Sequence, residues 1–392
     1  MLGAGITALA VLRCLGRAGI AAHSVCPRGD IATRSRWYES LPAAKGSPDR
    51  RAAAATLAAL RDFDGVVFPC DDHWALDIAR LQEHHSELRT SIPKLQALEQ
   101  LVDKELFRAR LEQLGLPHPR TRPLSSEERA GSVRLPPDWF FKPTDSQEFN
   151  RRFGQKAVVG TGNTEVAHDA IEQGLEFVAQ EYIPGAARAV VLLDGYVDIQ
   201  GVLRGCVARQ RIRAYREPFG NSTLSETIPV EDTGNALPDL LRLLREIGFT
   251  GLFNAEFKFD ARDRVFKLFE VNARPWWQIA LARDVGVDLC IAAYRDQLGL
   301  AFDLPGSYPL GRRCVDPAPD LAAWFCARSF PSKDAPLPVL GWYRATSSVL
   351  CKEDPLPALA EVARGARSLL KRLPRASRDN AGGADRPNQA AP

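Results

Sequence analysis

Two neighbouring stretches, Leu252–Asp260 and Val265–Asn272, constrain the fold more than any other part of the chain. Each alternates apolar and polar residues with period 2, the pattern of a strand with one buried face. Asn254, Glu256, Lys258 and Asp260 share one face of the first; Phe253, Ala255, Phe257 and Phe259 share the other. Paired antiparallel across a short loop at Arg262–Arg264, the strands set Glu256 opposite Glu270, Asn254 opposite Asn272 and Phe257 opposite Phe269. Two carboxylates directly opposed on a strand pair cost about 0.2–1 kcal/mol. A hard divalent cation removes that cost, and Mg²⁺ takes oxygen ligands of the kind that Glu256, Glu270 and Asn272 offer. A solvated polar face with Lys258 or Lys267 as salt-bridge partners explains the same pattern, and the hairpin alone leaves both readings open.

Its neighbours add positive charge. Arg274 follows two residues after Asn272, on the same face, where a guanidinium suits a phosphoryl group. Lys142 ends the apolar run Trp139-Phe140-Phe141, a costly place for a cation unless it meets an anion, and Lys104 follows Asp103 early in a helical stretch. These are local features. The whole chain of 392 residues carries 51 Lys+Arg against 48 Asp+Glu, a net charge of +3, which argues against a nucleic-acid partner. No apolar run of about 18 residues suggests an integral membrane segment, and the N-terminus does not read as a secretion signal. The 8 cysteines are scattered, without metal-ligand spacing, and fit a cytoplasmic protein with reduced thiols.

Residues 1–92 interleave short strands (Ala21–Val25, Gly65–Phe68) with helical patterns (Thr7–Ala18, Ala52–Leu60, Trp74–Leu81), which predicts a parallel, Rossmann-like sheet. Met1-Leu2-Gly3 leaves room only for a very short first strand, unless the start lies late. One helix is expected over Leu95–Leu114, strands at Trp139–Lys142 and Phe177–Ile183, and antiparallel strands at Ala189–Leu193, Val197–Leu203 and Cys206–Ile212, with Asp194-Gly195 as a turn. A helix over Ala236–Ile247 precedes the hairpin, and Arg375–Pro392 has a disordered composition. The alternating Arg209, Arg211 and Arg213, followed by Arg216, read either as a solvated strand edge or as a face for an acidic substrate.

Gly3-Ala4-Gly5-Ile6-Thr7-Ala8 matches the dinucleotide fingerprint G-x-G-x-x-A. The acid expected at the end of the second strand is missing; Asp30 is the nearest, beyond Pro27 and Gly29. A glycine turn that only lets helix and strand pack closely is the stronger reading. Pro69-Cys70-Asp71-Asp72-His73 follows a strand, where it either touches substrate or caps the helix at Trp74.

Taken together, Asp103-Lys104, Leu114-Gly115-Leu116-Pro117, Phe141–Gln147, Gln180–Gly185, Arg211-Ile212-Arg213, Phe219–Thr223, Glu256 and Glu270–Trp276 resemble the ATP-grasp superfamily. Within it they are most similar to the carbamoyl-phosphate-synthase-like carboxylate–amine ligases, in the branch that includes bacterial D-aspartate ligase. The resemblance spans about residues 90–290. It implies a mixed α/β and α+β chain: a Rossmann-like pre-ATP-grasp domain (1–92), an ATP-grasp domain (93–305) of two lobes hinged near 180–185, a C-terminal extension (306–374) and a disordered tail (375–392).

The resemblance also implies roles. Lys104 and Lys142 contact ATP phosphates, and Gln180, Glu181, Tyr182 and Ile183 form the hinge against adenine. The loop Gln147–Lys156 is a flap that brings Lys156 to the nucleotide. Glu256, Glu270 and Asn272 hold Mg²⁺ or Mn²⁺, and Arg274 holds the transferring phosphoryl group or acyl phosphate. Arg211, Arg213 and the loop Gly220, Asn221, Ser222 and Thr223 meet the carboxylate substrate, with Arg274, Lys142 and Arg213 as the catalytic set. Relatives often carry an acid for the ribose after the position of Gly185; here Ala186, Ala187 and Arg188 stand instead, which turns Arg188 toward substrate. Asn221 stands where a Thr is common. The implied reaction is ATP-dependent amide formation between a small-molecule carboxylate and an amine, amino acids among the candidates, by a cytoplasmic enzyme for which a homodimer is admissible. The competing readings are an NAD(P)-dependent oxidoreductase built on Gly3–Gly5, and a non-catalytic nucleotide-binding protein.

Overall fold

A computed structural model describes residues 1–41, 56–58, 60, 64–131, 134–154, 157–159, 164–215, 220–326 and 337–372. Lys156, Arg216, Phe219, most of the helix expected at 52–60 and the tail from 375 lie outside the described residues.

Helix α1 (Gly5–Arg17) starts directly after the glycine turn. Leu2 alone takes the place of a first strand: it forms parallel bridges to Val25 and Pro69, between the pairs β1–β2 (His23–Ser24, Glu39–Ser40) and β3–β4 (Val66–Val67, Arg89–Thr90). Helix α2 (Asp72–His84) follows, with Asp71 accepting from the Trp74 N–H at 2.9 Å. Of the two readings of Pro69–His73, the helix cap is therefore the one realised for Asp71.

The expected helix over Leu95–Leu114 is two helices, α3 (Leu95–Val102) and α4 (Lys104–Gln113). The chain breaks at Asp103, whose carboxylate accepts from Glu105 N and Leu106 N at 2.8 and 3.0 Å. An acid that caps a new helix competes with continuing the old one, and the break makes Lys104 the first residue of α4. A small four-stranded sheet follows, ordered β5-β8-β6-β7: β5 (Thr121–Pro123), β6 (Trp139–Pro143), β7 (Val158–Val159) and β8 (Phe177–Glu181). Phe141, Phe149 and Phe177 fill its own apolar cluster.

The large sheet has seven strands, ordered β13-β12-β9-β10-β11-β14-β15. Here the turn expected at Asp194-Gly195 is corrected. β9 runs unbroken over Val190–Val197, and the chain reverses at Asp198, which accepts from Gln200 N and Val202 N before β10 (Leu203–Tyr215). Gly195 serves close approach, since a Cβ there would sit 2.3 Å from the Phe253 ring. β11 (Asn221–Ile228) pairs with β10, and α5 (Ala236–Glu246) covers the apolar face with Leu240, Leu243 and Leu244.

The hairpin β12 (Gly251–Asp260) and β13 (Val265–Asn272) pairs Asn254 with Asn272 and Glu256 with Glu270, as expected. Beyond Glu256 the register shifts, so Phe257 meets Leu268 and not Phe269. The reason lies in the loop, which takes four residues, with Arg264 at φ 59° donating its N–H to Asp260 O at 2.7 Å. That length sets the lower pairs one residue out, and Phe269, the extra residue of a bulge, restores the register at Glu270.

Two further strands, β14 (Arg313–Val315) and β15 (Thr346–Ser347), extend the same sheet from the C-terminal segment, which also carries α6 (Pro317–Cys326) and α7 (Leu356–Arg372). Asp354 ties this segment back to α1 through buried Arg13 at 3.0 Å.

Candidate active site

A cleft lies between α4, the small sheet and β13 of the large one. Lys104, Lys142, Gln180, Thr121, Phe107 and Leu268 line it. Lys142 donates to Gln180 Oε1 at 3.1 Å, and Gln180 Nε2 donates to Thr121 Oγ1 at 2.8 Å. The partner of Lys142 is thus a neutral amide, and among the described residues neither Lys142 nor Lys104 has an ion pair within 4.0 Å. Burial lowers the pKa of Lys142 to about 8, with Lys104 adding to the shift and Glu270 and Glu256 opposing it. Both lysines and both hairpin carboxylates therefore share one electrostatic neighbourhood.

The residues expected to form the hinge are engaged. Glu181 is 2% exposed and accepts from Arg120 N, Nε and Nη2 at 3.1–3.2 Å, while Arg262 approaches from the large-sheet hairpin at 2.8 Å. Burial would raise its pKa, but the bonds from Arg120 hold it below the usual value. Tyr182 donates its N–H to Asp138 O and stacks under Lys258 Nζ, 5.0 Å from the ring centroid; Ile183 is buried.

The arginines of β10 correct the sequence reading. β10 is an inner strand, not an edge, and Arg209, Arg211 and Arg213 are 0%, 6% and 6% exposed. Arg209 forms a two-pronged pair with Asp194, also fully buried, and donates to Ser225 Oγ. Arg211 donates to Ser222 Oγ and to Glu256 Oε1, both at 2.7 Å. Arg213 pairs with Asp320 of α6, which also accepts from Thr223 Oγ1 at 2.8 Å and Trp342 Nε1 at 2.7 Å. Of the expected carboxylate-binding set, Ser222, Thr223 and Arg213 thus serve internal partners; Asn221 is exposed beside Gly220 at the start of β11. Arg188 donates to Gln210 Oε1 and Glu226 Oε1 at 3.0 and 3.1 Å, and its Nε is buried with no hydrogen-bond partner.

Arg274 is held by Asp72 of α2. Asp72 accepts from its Nε at 2.7 Å and its Nη2 at 3.2 Å, and Nη2 also reaches Asn272 Oδ1 at 3.1 Å. Asp72 and Asp194 are residues whose parts in the site the sequence did not reveal. A signal for Asp194 was present: it is the single charged residue in the otherwise apolar Val190–Val197, and a buried carboxylate needs a cation, which the arginines of β10 supply.

The glycine turn, by contrast, is closed. Gly5 N lies 3.0 Å from both Asp30 carboxylate oxygens, and Gly3 packs against Asp71 and Cys70. The α1 N-terminus, where a dinucleotide's pyrophosphate would sit, already holds an anion of this chain, so the oxidoreductase alternative loses its phosphate site.

Comparison with known proteins agrees with this architecture. No family model matches the chain. D-aspartate ligase of Enterococcus faecium (strain Aus0004) is 27% identical over 226 residues, 53% of this chain and 53% of the relative; this chain spans about half the length of that relative. The biotin carboxylase of Campylobacter jejuni, solved with β,γ-ATP, superposes with TM-score 0.58 at 16% identity over 80% of this chain and 73% of its own. The chain has an ATP-grasp fold. The L-amino acid ligase of Bacillus licheniformis is similar as well, with TM-score 0.52 at 17% identity over 74% of this chain and 71% of its own. The chain carries a small four-stranded sheet and a large seven-stranded one. Among its described residues no helix is long and apolar enough to cross a membrane.

The donor set fits a hard divalent cation. Glu256 and Glu270 face each other in register, and the Asn272 carbonyl oxygen lies on the same face. All are oxygen donors, Glu256 also accepts from Arg211, and both carboxylates act electrostatically on Lys142.

Proposed function

We propose that the protein is a cytoplasmic ATP-dependent ligase that joins a carboxylate to an amine through an acyl phosphate, releasing ADP and phosphate. Amino acids are the substrate class the D-aspartate ligase and L-amino acid ligase relatives favour. The observation that carries the reading is the opposition of Glu256 and Glu270 beside two lysines, one of them with its pKa drawn down to about 8 by burial and by the other.

In the proposed reaction a carboxylate oxygen of the substrate attacks the γ-phosphorus, and the bond to the ADP oxygen breaks. The amine nitrogen then attacks the acyl carbon, loses a proton, and phosphate leaves with the former carboxylate oxygen. Such chemistry is mostly positioning and charge neutralisation. Lys104 and Lys142 hold phosphoryl oxygens. Gln180 keeps the Lys142 ammonium in place, and the 180–183 hinge seats the base. Glu256, Glu270 and Asn272 hold Mg²⁺ or Mn²⁺, which when bound would offset charge on the phosphoryl oxygens. Arg274, braced by Asp72, steadies the transferring group. Arg188, with an unpaired buried N–H, is the best-placed substrate contact on this sheet, whereas Arg211 and Arg213 shape the site through Glu256 and Asp320.

The test is ADP formation with ATP, Mg²⁺ and panels of carboxylates and amines. Turnover that needs one member of each panel, and that Glu270→Ala abolishes, is the expected result. ADP release that ignores both panels, or full turnover by Glu270→Ala, defeats the reading.

A further inference from the structure

A line of hydrogen bonds crosses the polar face of the large sheet, from Arg274 to Asp194. Arg274 Nη2 donates to Asn272 Oδ1 at 3.1 Å; Asn272 Nδ2 donates to Asn254 Oδ1 at 3.2 Å; Asn254 Nδ2 donates to Asp194 Oδ1 at 2.6 Å. The line is closed at both ends by groups that cannot reverse. A guanidinium only donates, and an ionised carboxylate only accepts. Asp194 is fully buried and takes a two-pronged contact from the Arg209 guanidinium. Facing Asp194, Asn254 must present its NH₂ and so turns its carbonyl oxygen to Asn272. Asn272 must then present its own NH₂ to Asn254, which leaves its Oδ1 on the outer side. Nothing within either amide chooses this orientation; the carboxylate at one end of the line and the guanidinium at the other do.

From this we infer that Asn254, backed by Asp194 and Arg209, is a positioning element that fixes the amide of Asn272 with its oxygen, not its nitrogen, toward the metal. The inference rests on the proposed role of Asn272 as a metal ligand. Glu270 Oε1 also lies 3.4 Å from Asn272 Nδ2, but that is a longer contact, and it uses an oxygen the cation would claim. Asn254 is 6% exposed and its amide bonds Asp194 and Asn272, so its effect on the site passes through Asn272. Partners of this kind behind a metal ligand are commonly worth 10–100-fold in metal affinity or activity.

The experiment measures Mn²⁺ binding by loss of the free-ion electron paramagnetic resonance signal, first with Mn²⁺ alone and then with a non-hydrolysable ATP analogue. Asn254→Leu keeps the bulk and removes the hydrogen bonds; Asn254→Ser, measured alongside, covers the case in which the leucine variant does not fold. The expected result is a rise of about tenfold in the Mn²⁺ Kd for either variant. The same substitutions are then made in Asn272→Asp, whose two carboxylate oxygens make orientation irrelevant. There the rise should shrink to less than about twofold, an outcome that a merely structural role for Asn254 would not produce. Equal weakening in both backgrounds, or none in either, overturns the inference. Failure of wild-type protein to bind Mn²⁺ with and without the analogue overturns the metal assignment itself, and the inference with it.

Discussion

The cations of β10 and the lysines of the cleft carry the same charge to different ends. Arg209 and Arg213 each meet a carboxylate of the chain, Asp194 and Asp320, both fully buried. Among the described residues Lys142 meets the neutral Gln180 amide and no carboxylate within 4.0 Å, and Lys104 lies close enough to lower its pKa. A folded chain normally answers buried charge with countercharge, because the alternative costs several kcal/mol per ion. Where it does not, the proposed function makes the ligand the missing anion. The same contrast separates the two carboxylate features. Asp30 spends its charge on the Gly5 N–H at α1, whereas Glu256, which also accepts from Arg211, stands opposite Glu270 in the cross-strand register.

The sharpest way to break this comparison is to remove one answered cation. Arg209→Met strands Asp194 in the sheet and should cost about 3–5 kcal/mol of stability by urea denaturation; a loss below about 1 kcal/mol would mean that the pair is not the buried anchor described here. Removing an unanswered cation should do the reverse. Lys142→Met is expected to lower kcat by about 10²–10³-fold with an unchanged or raised urea midpoint, since a desolvated charge is lost. A variant that lost stability instead would place Lys142 with the arginines.

How much of this was legible beforehand follows the same division. The Glu256–Glu270 and Asn254–Asn272 pairings came from strand periodicity, because alternation is written in every residue. The bulge at Phe269 did not, since it depends on a loop one residue longer than the expected one. Asp194-Gly195 has the composition of a turn, but tertiary contacts to Arg209 and Phe253 override local preference. Asp320 lies more than a hundred residues from Arg213, and no local pattern announces such a pair. Asp103, by contrast, is an N-cap inside an apparently continuous helix, a signal the sequence contains and periodicity hides.

Next in size is pH. With a folded pKa of about 8 against an ordinary 10.5, Lys142 penalises folding fully below pH 8, and that penalty is relieved as pH rises toward 10.5. Stability attributable to this group therefore rises across that window. ATP affinity moves the other way, falling by at most about tenfold per pH unit above 8 as the ammonium is lost. Calorimetry in buffers of different ionisation enthalpy should detect proton uptake on ATP binding near pH 8.5; an absence of uptake would mean that Lys142 does not meet the nucleotide. The smallest effect belongs to the glycine turn. Asp30→Ala should cost about 1 kcal/mol, as loss of a cap does, and leave ATP affinity unchanged. A change in ATP affinity would join α1 to the site.

The central claim is that the unanswered charges bind ATP and drive acyl-phosphate formation. Its most direct test is turnover with an accepted substrate labelled with ¹⁸O in the carboxylate, followed by mass analysis of the released phosphate. Transfer of one ¹⁸O to phosphate per amide formed is the predicted result. Unlabelled phosphate alongside amide formation would contradict it.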